Sequence, residues 1–301
     1  MKIKSIQAVL LGHRKTDPPM QRSYALVRVE TEAGLIGYGE ASSNYGHSYP
    51  TVIKTIIDDI IAPNLVGHDA LDIRGRADQM HVLLDGYLGW DGVSSQVIGG
   101  VEVALWDILG KELNQPIFKL LGASARPMAL YGTGTTMFEA TPEWYAKYFD
   151  DSLARGIKAV KVRLGTERPH SVERVAGVRE YVGKDVRIMV DAYWGFSPDE
   201  ALILTKELEP YDVYFFEEPS PQYQLEGFKR LCAGSPIRIA VGERVYTPSH
   251  FNLIAQMGAA HVFEPDACLS GGISACMEIA AIARAHDIKV VPHTGSPTAV
   301  G

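Results

Sequence analysis

The chain has little cysteine and no long apolar run. Its three cysteines are Cys232, Cys268 and Cys276. Their odd number and their spacing fit neither a zinc site nor a set of disulfides, so we expect a reduced, cytoplasmic protein. No stretch approaches the roughly 20 apolar residues that a membrane-spanning helix needs. A membrane is therefore not an expected partner.

The chain also has fewer basic residues than acidic ones. Lysine and arginine number 29 against 36 aspartates and glutamates, which gives a formal charge of −7 at pH 7. No basic stripe is available to neutralise phosphates, so nucleic acid is not an expected partner either. The apolar stretch at the N-terminus is interrupted by Lys4, Ser5 and Gln7. It lacks a cleavage site, so it predicts an edge strand rather than a signal peptide.

The first 125 residues predict a short antiparallel sheet followed by helices. Strands are predicted over 3–11, 24–30 and 35–39, with a tight turn at 32–34. Apolar residues then recur at helical spacing from Pro50 onward, over 73–84 and over 93–113. We therefore assign residues 1–125 to a small α+β domain.

Residues 126–301 repeat a different unit, a short run of branched apolar residues that mostly ends at a polar or charged one. The seven runs are MALYGTG around Tyr131, AVKVR, RIMVD, VYFFE, IAVGE, HVFEPD and IKVVPH. From Lys161 to His293 the marking residues follow one another at 23 to 30 residues. This period indicates successive βα units. Helices are predicted over 142–155, 171–182, 198–208, 224–233, 248–257 and 273–285, so the fold class is α/β, a modified TIM barrel.

An eight-stranded barrel needs one more βα unit than these seven runs supply. The seventh run ends at His293, and the sequence ends at Gly301. A seven-stranded sheet leaves two edges of unpaired backbone groups. We therefore expect that the natural polypeptide continues past Gly301 with a helix, a strand and a helix, or that a second copy covers the gap in a homo-oligomer.

The residues that end the runs are candidates for one site, because the C-terminal ends of barrel strands surround one point. Asp191, Glu217 and Glu243 end three consecutive runs. Crowded carboxylates repel one another unless a cation neutralises them, and hard oxygen ligands favour Mg²⁺. The sequence therefore predicts a Mg²⁺ site. Glu218 is the weaker candidate beside Glu217, since neighbouring strand residues point to opposite faces.

Two further pairs of residues belong to the predicted site. Lys161 and Arg163 are two apart on one strand, so both point the same way and would place cations on one flank of a substrate. Asp266 and His293 end the last two runs. An aspartate that accepts a hydrogen bond from one imidazole nitrogen raises the basicity of the other. A base beside a metal suits the removal of a proton next to a carboxylate.

Polar residues near the predicted barrel mouth are candidates for substrate binding. The loops at 12–21 and 42–50, which contain Asn44 and His47, are expected to reach over the mouth. Tyr193 and Arg244 lie next to proposed metal ligands in the sequence, and Arg163 can clamp a carboxylate. Such a polar lid favours a hydroxylated acid over an aromatic or N-acylated one.

The ordered motifs resemble those of the enolase superfamily, in the mandelate racemase and muconate lactonizing enzyme group. The matching segments are ALWDILGKELNQPIFKLLGA at 104–123, KVR at 161–163, VDAYWG at 190–195, FFEEPS at 215–220, VGER at 241–244, EPDACLSGGIS at 264–274 and VVPHTG at 290–295. The resemblance covers essentially the whole chain. It implies a capping domain over a (β/α)7β-type barrel, Mg²⁺ on Asp191, Glu217 and Glu243, and His293 assisted by Asp266 as in the mandelate racemase branch.

The sequence departs from that pattern in two places. The branch usually carries Lys-x-Lys, with the base at the second position, where this chain has Arg163. A guanidinium with a pKa above about 12 is a poor base, so a one-base reaction is favoured over a two-base racemase. Members of the family also place a further acid near the eighth strand and return a C-terminal segment to the cap, and the 301 residues contain neither.

These considerations favour a Mg²⁺-dependent dehydratase (a hydro-lyase) of sugar acids, aldonates or aldarates. It would take the proton next to the carboxylate and eliminate water to give a 2-keto-3-deoxy acid. The alternative is a racemase, epimerase or cycloisomerase that uses the same enolate. A third hypothesis is a truncated, inactive relative that only binds acid sugars.

Overall fold

A computed structural model describes residues 1–16, 19–41, 49–134 and 141–294. It begins with an antiparallel sheet of three strands in the order β1-β2-β3, namely β1 (Ile3–Thr16), β2 (Pro19–Thr31) and β3 (Ile36–Glu40). The predicted meander and its turn at 32–34 are confirmed, and Gly34 has a φ of 86° there. The first two strands are longer than predicted. Their pairing continues to Thr16 and Pro19 through polar residues that lack alternation of apolar and polar side chains.

Helices cover one face of this sheet. They are α1 (Pro50–Ile56), one turn of π-helix (Ile57–Ile61), α2 (Ala62–Leu65), α3 (Ile73–Leu88), α4 (Val93–Glu112) and α5 (Ile117–Leu120). Helix α4 lies so close to β3 that a Cβ atom on Gly39 would come within 2.0 Å of the Gly100 carbonyl oxygen. Glycine in β3 therefore permits backbone-to-backbone packing of sheet and helix.

The second half of the chain forms a parallel sheet of seven strands in the order β10-β9-β8-β7-β6-β5-β4. Every strand lies beside its neighbours in the chain, as successive βα units require. The predicted α/β class and modified TIM barrel with seven strands are confirmed. The strands are β4 (Gly132–Thr133), β5 (Ala159–Arg163), β6 (Arg187–Asp191), β7 (Val213–Glu217), β8 (Arg238–Val241), β9 (Val262–Phe263) and β10 (Lys289–Val290).

The helices on the outside of this sheet follow the predicted alternation. They are α6 (Pro142–Lys147), α7 (Asp150–Ala154), α8 (Arg168–Val182), α9 (Pro198–Leu208), α10 (Leu225–Gly234), α11 (Pro248–Met257) and α12 (Ile273–Ala285), with a 3-10 turn at Glu209–Tyr211. The prediction of one continuous helix over 142–155 is wrong, because the chain turns at Tyr148 and Phe149. Phe149 is buried there against the ring of Tyr145.

Two layers of apolar side chains hold the seven-stranded sheet in place. The larger layer lies between the sheet and its helices, and it includes Val160, Val190 and Phe216. The smaller one is formed by Met189, Phe215, Ala240 and Val262, residues of four neighbouring strands. Met189 and Phe215 are each two residues before an acid that ends a strand, Asp191 and Glu217. Because side chains alternate along a strand, this cluster lies on the same face as those acids and beneath them.

The three-stranded sheet with α1–α5 and the seven-stranded sheet with α6–α12 contact each other through α4. The Ser95 hydroxyl lies 2.6 Å from the Tyr246 carbonyl oxygen and 2.7 Å from that of Leu269. The two halves therefore pack directly against each other. A domain boundary between residues 125 and 126 stays a prediction. Within the described ranges, no helix combines the length and the apolar character needed to cross a membrane.

Candidate active site

Parallel pairing brings the predicted site residues to one end of the seven-stranded sheet. Arg163, Asp191 and Glu217 are the last residues of β5, β6 and β7, and the register places them side by side. Glu243 follows β8 by two residues, and Asp266 and His293 follow β9 and β10 by three. The chain therefore gathers at this end six side chains that are up to 130 residues apart in the sequence.

Asp191, Glu217 and Glu243 form the centre of this cluster, which we call the acidic triad. All three residues are completely buried. One carboxylate oxygen of each lies within 4.8 Å of the others. The Oε1 atom of Glu217 has no hydrogen-bond partner among the residues described. A buried oxygen of this kind is costly unless a cation or a donor satisfies it, so the donor set fits a hard divalent cation.

Lys161 and Arg163 contact the triad from β5. The Lys161 ammonium contacts Glu217 and lies 3.3 Å from Oδ2 of Asp191, and the Arg163 guanidinium contacts the same Asp191 oxygen. Burial by itself would lower the pKa of Lys161, but the charges of Glu217 and Asp191 outweigh it and hold that pKa well above its usual value. Lys161 is therefore a cation. The two side chains lie on the expected flank, where they are paired with carboxylates.

Burial shifts the pKa of Asp191, one acid of the triad, in the opposite direction. The pKa of Asp191 is raised, first because its carboxyl is desolvated and then because Glu217 carries the same charge nearby. Lys161 and Arg163 oppose this shift, as does the backbone N–H of Tyr193, which donates to Oδ1 of Asp191 at 2.9 Å. A bound cation would lower the pKa of Asp191 and so favour its ionised carboxylate.

His293 follows β10, the strand at one edge of the sheet, and faces the triad from there. Its Nδ1 lies 2.8 Å from Oδ2 of Asp266, and its Nε2 lies 3.3 Å from Oε2 of Glu243. Burial would lower the pKa of His293, but the hydrogen bond with Asp266 and the charge of Glu243 raise it above its usual value. Asp266 is itself held by the N–H of Cys268, which donates to Oδ1 at 2.8 Å. The imidazole is therefore fixed in orientation, with Nε2 directed at the triad.

Two further buried acids lie at this end of the sheet. The strand alternation that sets Glu218 apart from Glu217 stops at the strand end, where Glu218 has a φ of 40°. Its Oε1 accepts a hydrogen bond from the N–H of Gly242 at 3.0 Å, and burial together with Glu243 holds its pKa well above the usual value. Glu264, which sequence reasoning missed, is 1% exposed, and burial and Glu217 raise its pKa in the same way.

A signal for Glu264 was present in the sequence. It is the first charged residue after the apolar run of β9, just as Asp191 and Glu217 are in their runs. The sequence predicts Asp266 as the functional acid of HVFEPD. The structure buries the carboxyl groups of both Glu264 and Asp266.

Glu102 of α4 is another buried acid that the sequence analysis did not single out. Its carboxylate accepts hydrogen bonds from the backbone N–H groups of Ile273 (2.8 Å) and Ser274 (3.0 Å) and from Nε1 of Trp106 (2.8 Å). It thereby caps the first turn of α12 from a helix of the other half of the molecule. The segment 266–272 between β9 and α12, which begins with Asp266, is anchored at its far end by this contact.

The predicted substrate-binding residues are only partly within the described structure. Tyr193 lies at the rim of the triad, is 39% exposed and has a φ of 49°. The Arg244 guanidinium lies 3.8 Å from the centroid of the Trp194 ring, a cation–π contact that positions it near Glu243. Asn44 and His47 lie outside the described residues, so their part in binding stays a prediction.

Comparison with known families accounts for nearly the whole chain. Residues 15–122 match the family model of the mandelate racemase / muconate lactonizing enzyme N-terminal domain. Residues 144–301 match that of the enolase C-terminal domain-like family.

Individual relatives agree with these matches. The arabinonate dehydratase of Saccharolobus solfataricus is 34% identical over 269 residues, which are 88% of this chain and 70% of that protein. The D-galactarolactone cycloisomerase of Agrobacterium fabrum is 30% identical over 97% of this chain and 78% of its own length. The crystal structure of a racemase from Streptomyces coelicolor A3(2) with bound magnesium superposes with a TM-score of 0.91 at 27% identity, covering 97% of this chain and 83% of that one. The chain therefore belongs to the enolase superfamily, to the mandelate racemase-like branch of its mandelate racemase and muconate lactonizing enzyme group.

Proposed function

We propose that the protein is a Mg²⁺-dependent dehydratase that acts on sugar acids, aldonates or aldarates. The observation that carries the proposal is the site itself, in which one oriented imidazole faces three buried carboxylates that lie within 4.8 Å of one another. The arabinonate dehydratase similar to this chain supports the reaction and the substrate class. The racemase structure with bound magnesium supports the metal.

The acidic triad would hold the ion. Its oxygen ligands suit Mg²⁺, and Oε1 of Glu217, which has no hydrogen-bond partner among the described residues, would be one ligand atom. When bound, Mg²⁺ supplies positive charge that stabilises the negative charge developing on the carboxylate of the substrate. Arg163 and Lys161 add positive charge on the same flank of the site, and their own contacts with the triad fix their positions.

The proton transfers are assigned to His293. In its neutral form, Nε2 accepts the proton from the carbon next to the carboxylate, and the imidazolium so formed is stabilised by Asp266 at Nδ1. The imidazolium then returns that proton to the hydroxyl group on the next carbon. As the C–O bond breaks, its electron pair leaves with the oxygen as water, and a C=C bond forms between the two carbons. The resulting enol tautomerises to the 2-keto-3-deoxy acid.

Arg163 is unsuited to take a proton from the opposite face of the substrate. A guanidinium stays protonated near neutrality, and Lys161 beside it is paired with Glu217 and Asp191. A racemase needs a proton acceptor on each face of the carbon. The site therefore favours elimination over racemisation.

A cycloisomerase is the second candidate, because it too can operate with one base. The D-galactarolactone cycloisomerase of Agrobacterium fabrum shows this activity within the same similarity range as the dehydratase. Tyr193, Arg244, Asn44 and His47, proposed to contact the hydroxyl groups of the substrate, would then select which bond breaks.

Incubation with a panel of aldonates and aldarates in the presence of Mg²⁺ tests the proposal. We expect a 2-keto acid from at least one of them, absent in EDTA and absent with His293→Asn. Exchange of the α-proton for solvent deuterium without a 2-keto acid would replace the dehydratase with the isomerase class. If neither product nor exchange forms although the acids bind, the protein is an inactive binding relative and the proposal fails.

Unpaired cysteines (Cys232, Cys268 and Cys276) fit a reducing compartment, so we propose the cytoplasm.

A further inference from the structure

The opposite end of the seven-stranded sheet carries a second cluster of charged side chains. Arg187, Arg238 and Lys289 are the first residues of β6, β8 and β10, and Tyr214 is the second residue of β7. We call these four residues the basic floor. Arg187 and Asp191 are the two ends of β6, so the floor and the acidic triad are about 13 Å apart along that strand.

The three cations of the floor surround one aromatic ring. The guanidinium carbons of Arg187 and Arg238 lie 4.3 and 4.9 Å from the centroid of the Tyr214 ring, and Nζ of Lys289 lies 5.5 Å from it. Nζ of Lys289 also donates a hydrogen bond to the Tyr214 hydroxyl at 2.9 Å. The three positive charges are therefore within about 10 Å of one another, close to the distance over which physiological salt screens charges.

No acidic side chain among the described residues forms an ion pair with the floor. In the part of the chain that the structure describes, none of the three cations has a carboxylate oxygen within 4.0 Å. The electron-rich faces of one tyrosine ring attract cations but carry no net charge. In a protein of formal charge −7, three exposed cations around one ring without a paired acid form a local positive patch that attracts an anion.

A cavity of about 730 Å³ opens beside the floor and adds to its positive character. Arg187 and Tyr214 line it together with Lys158 and Lys184, whereas its acidic residues are Asp185 and Asp212. The exposed apolar side chains of Met128 and Leu130 form part of the same wall. The cavity therefore has room for an organic group next to Arg187 and Tyr214 of the floor.

We propose that the basic floor binds a phosphate group, either free phosphate or the phosphate of a small ester whose organic part occupies the cavity. Two planar guanidinium groups can each donate paired hydrogen bonds to phosphate oxygens, and an ammonium and a hydroxyl complete the set of donors. This site is separate from the acidic triad and would be regulatory or structural rather than catalytic.

Isothermal titration calorimetry with inorganic phosphate, in low salt and with EDTA to keep metal ions from the triad, tests this proposal. We expect one phosphate per chain with a dissociation constant of about 1 mM or lower, and weaker binding as NaCl is added. Glycerol 3-phosphate is the second probe. Tighter binding of the ester assigns the cavity to an organic group, and equal binding assigns the site to phosphate alone.

Matched variants locate the binding. Arg187→Gln and Arg238→Gln, singly and together, should weaken phosphate binding at least about tenfold in the double variant. Arg230→Gln removes one exposed arginine from α10, away from the floor, and should leave the affinity unchanged. Thermal unfolding and Mg²⁺ binding of each variant establish that it is folded. No heat of binding at 10-fold the expected constant, or an equal loss in Arg230→Gln, would overturn the proposal.

Discussion

At the C-terminal ends of the barrel strands the charged side chains are mostly carboxylates and are buried, whereas the charged residues that begin β6, β8 and β10 at the other end are cations and are exposed. Asp191, Glu217 and Glu243 are completely buried at the first end. Arg187 and Arg238 are exposed at the other. Met189 and Phe215, which lie between the two ends, are apolar and buried, so they separate the opposite charges.

The comparison shows that position along a strand decides what a charge can do. Exposed cations keep water around them, so the repulsion between them is moderate. Buried carboxylates have lost that water, and their protonation depends on which cations lie within a few ångström. The protonation of the acids at the C-terminal end would therefore depend on a bound cation, and their positions are fixed by burial. The cations at the N-terminal end attract an anion.

Replacement of His293 should have the largest effect on the buried end. His293→Asn removes the group proposed to transfer the proton but leaves a neutral side chain of similar size near Glu243. We expect turnover to fall by about 10²–10⁴-fold, the usual contribution of such a group, while Mg²⁺ binding persists. Steady-state kinetics and calorimetry measure the two quantities separately. Turnover at the wild-type level would refute the role of His293.

Removal of Glu102 should weaken the contact between the two halves of the molecule. In Glu102→Ala the N–H groups of Ile273 and Ser274 lose their acceptor, whereas Nε1 of Trp106 keeps the Ser274 hydroxyl at 3.1 Å. Unsatisfied buried donors of this kind cost about 1–3 kcal/mol each, so we expect a loss of about 3 kcal/mol in the free energy of unfolding, measured with urea. Glu102→Gln, which keeps one acceptor oxygen, is the matched control and should lose less. Equal stability of Glu102→Ala and wild type would show that the contact is dispensable.

Replacement of Asp266 should have a smaller effect on rate and a defined effect on pH dependence. The hydrogen bond from His293 to Asp266 raises the pKa of the imidazole, so Asp266→Asn should lower that pKa. If neutral His293 is the base, activity increases as pH rises through this pKa. The rising limb of the rate profile should therefore move to lower pH, while the maximal rate falls less than in His293→Asn. A limb that stays in place or moves to higher pH would contradict the assignment.

The smallest effect on stability is expected at the exposed end. Arg187→Gln removes one cation whose side chain is exposed and which packs on the Tyr214 ring. Surface substitutions of this type usually change the free energy of unfolding by less than about 0.5 kcal/mol. Thermal and urea unfolding measure it. A loss comparable to that in Glu102→Ala would mean that the two ends of the barrel do not differ in the way described.

The strands of the barrel and the acids that end them could be predicted from the sequence, because they depend on local patterns. AVKVR, RIMVD and VYFFE were predicted as strands and are β5, β6 and β7. Because each of these runs is buried on both faces, its apolar residues are continuous and its end is marked by the first charge. The same rule placed Asp191 and Glu217 side by side, as the register shows.

Other features of the site and its surroundings depend on tertiary contacts that no local sequence pattern encodes. Glu102 is one polar residue in an apolar helix, and only the approach of α12 explains it. Arg187, Arg238 and Lys289 are unremarkable first residues of strands until the sheet brings them around Tyr214. The pairing of Lys161 and Arg163 with the triad likewise follows from the distances between strands rather than from spacing along the chain.

Calorimetric titration of the purified protein with Mg²⁺ tests the central claim most directly, namely that the buried acids at the C-terminal end form a metal centre. We predict one ion per chain for the wild type and for Glu226→Ala, which removes an acid of α10 outside the triad. Binding should be lost in Glu217→Ala, because that residue supplies a buried oxygen without another partner in the described structure. Unchanged Mg²⁺ affinity in Glu217→Ala, or no binding by the wild type, would contradict the account.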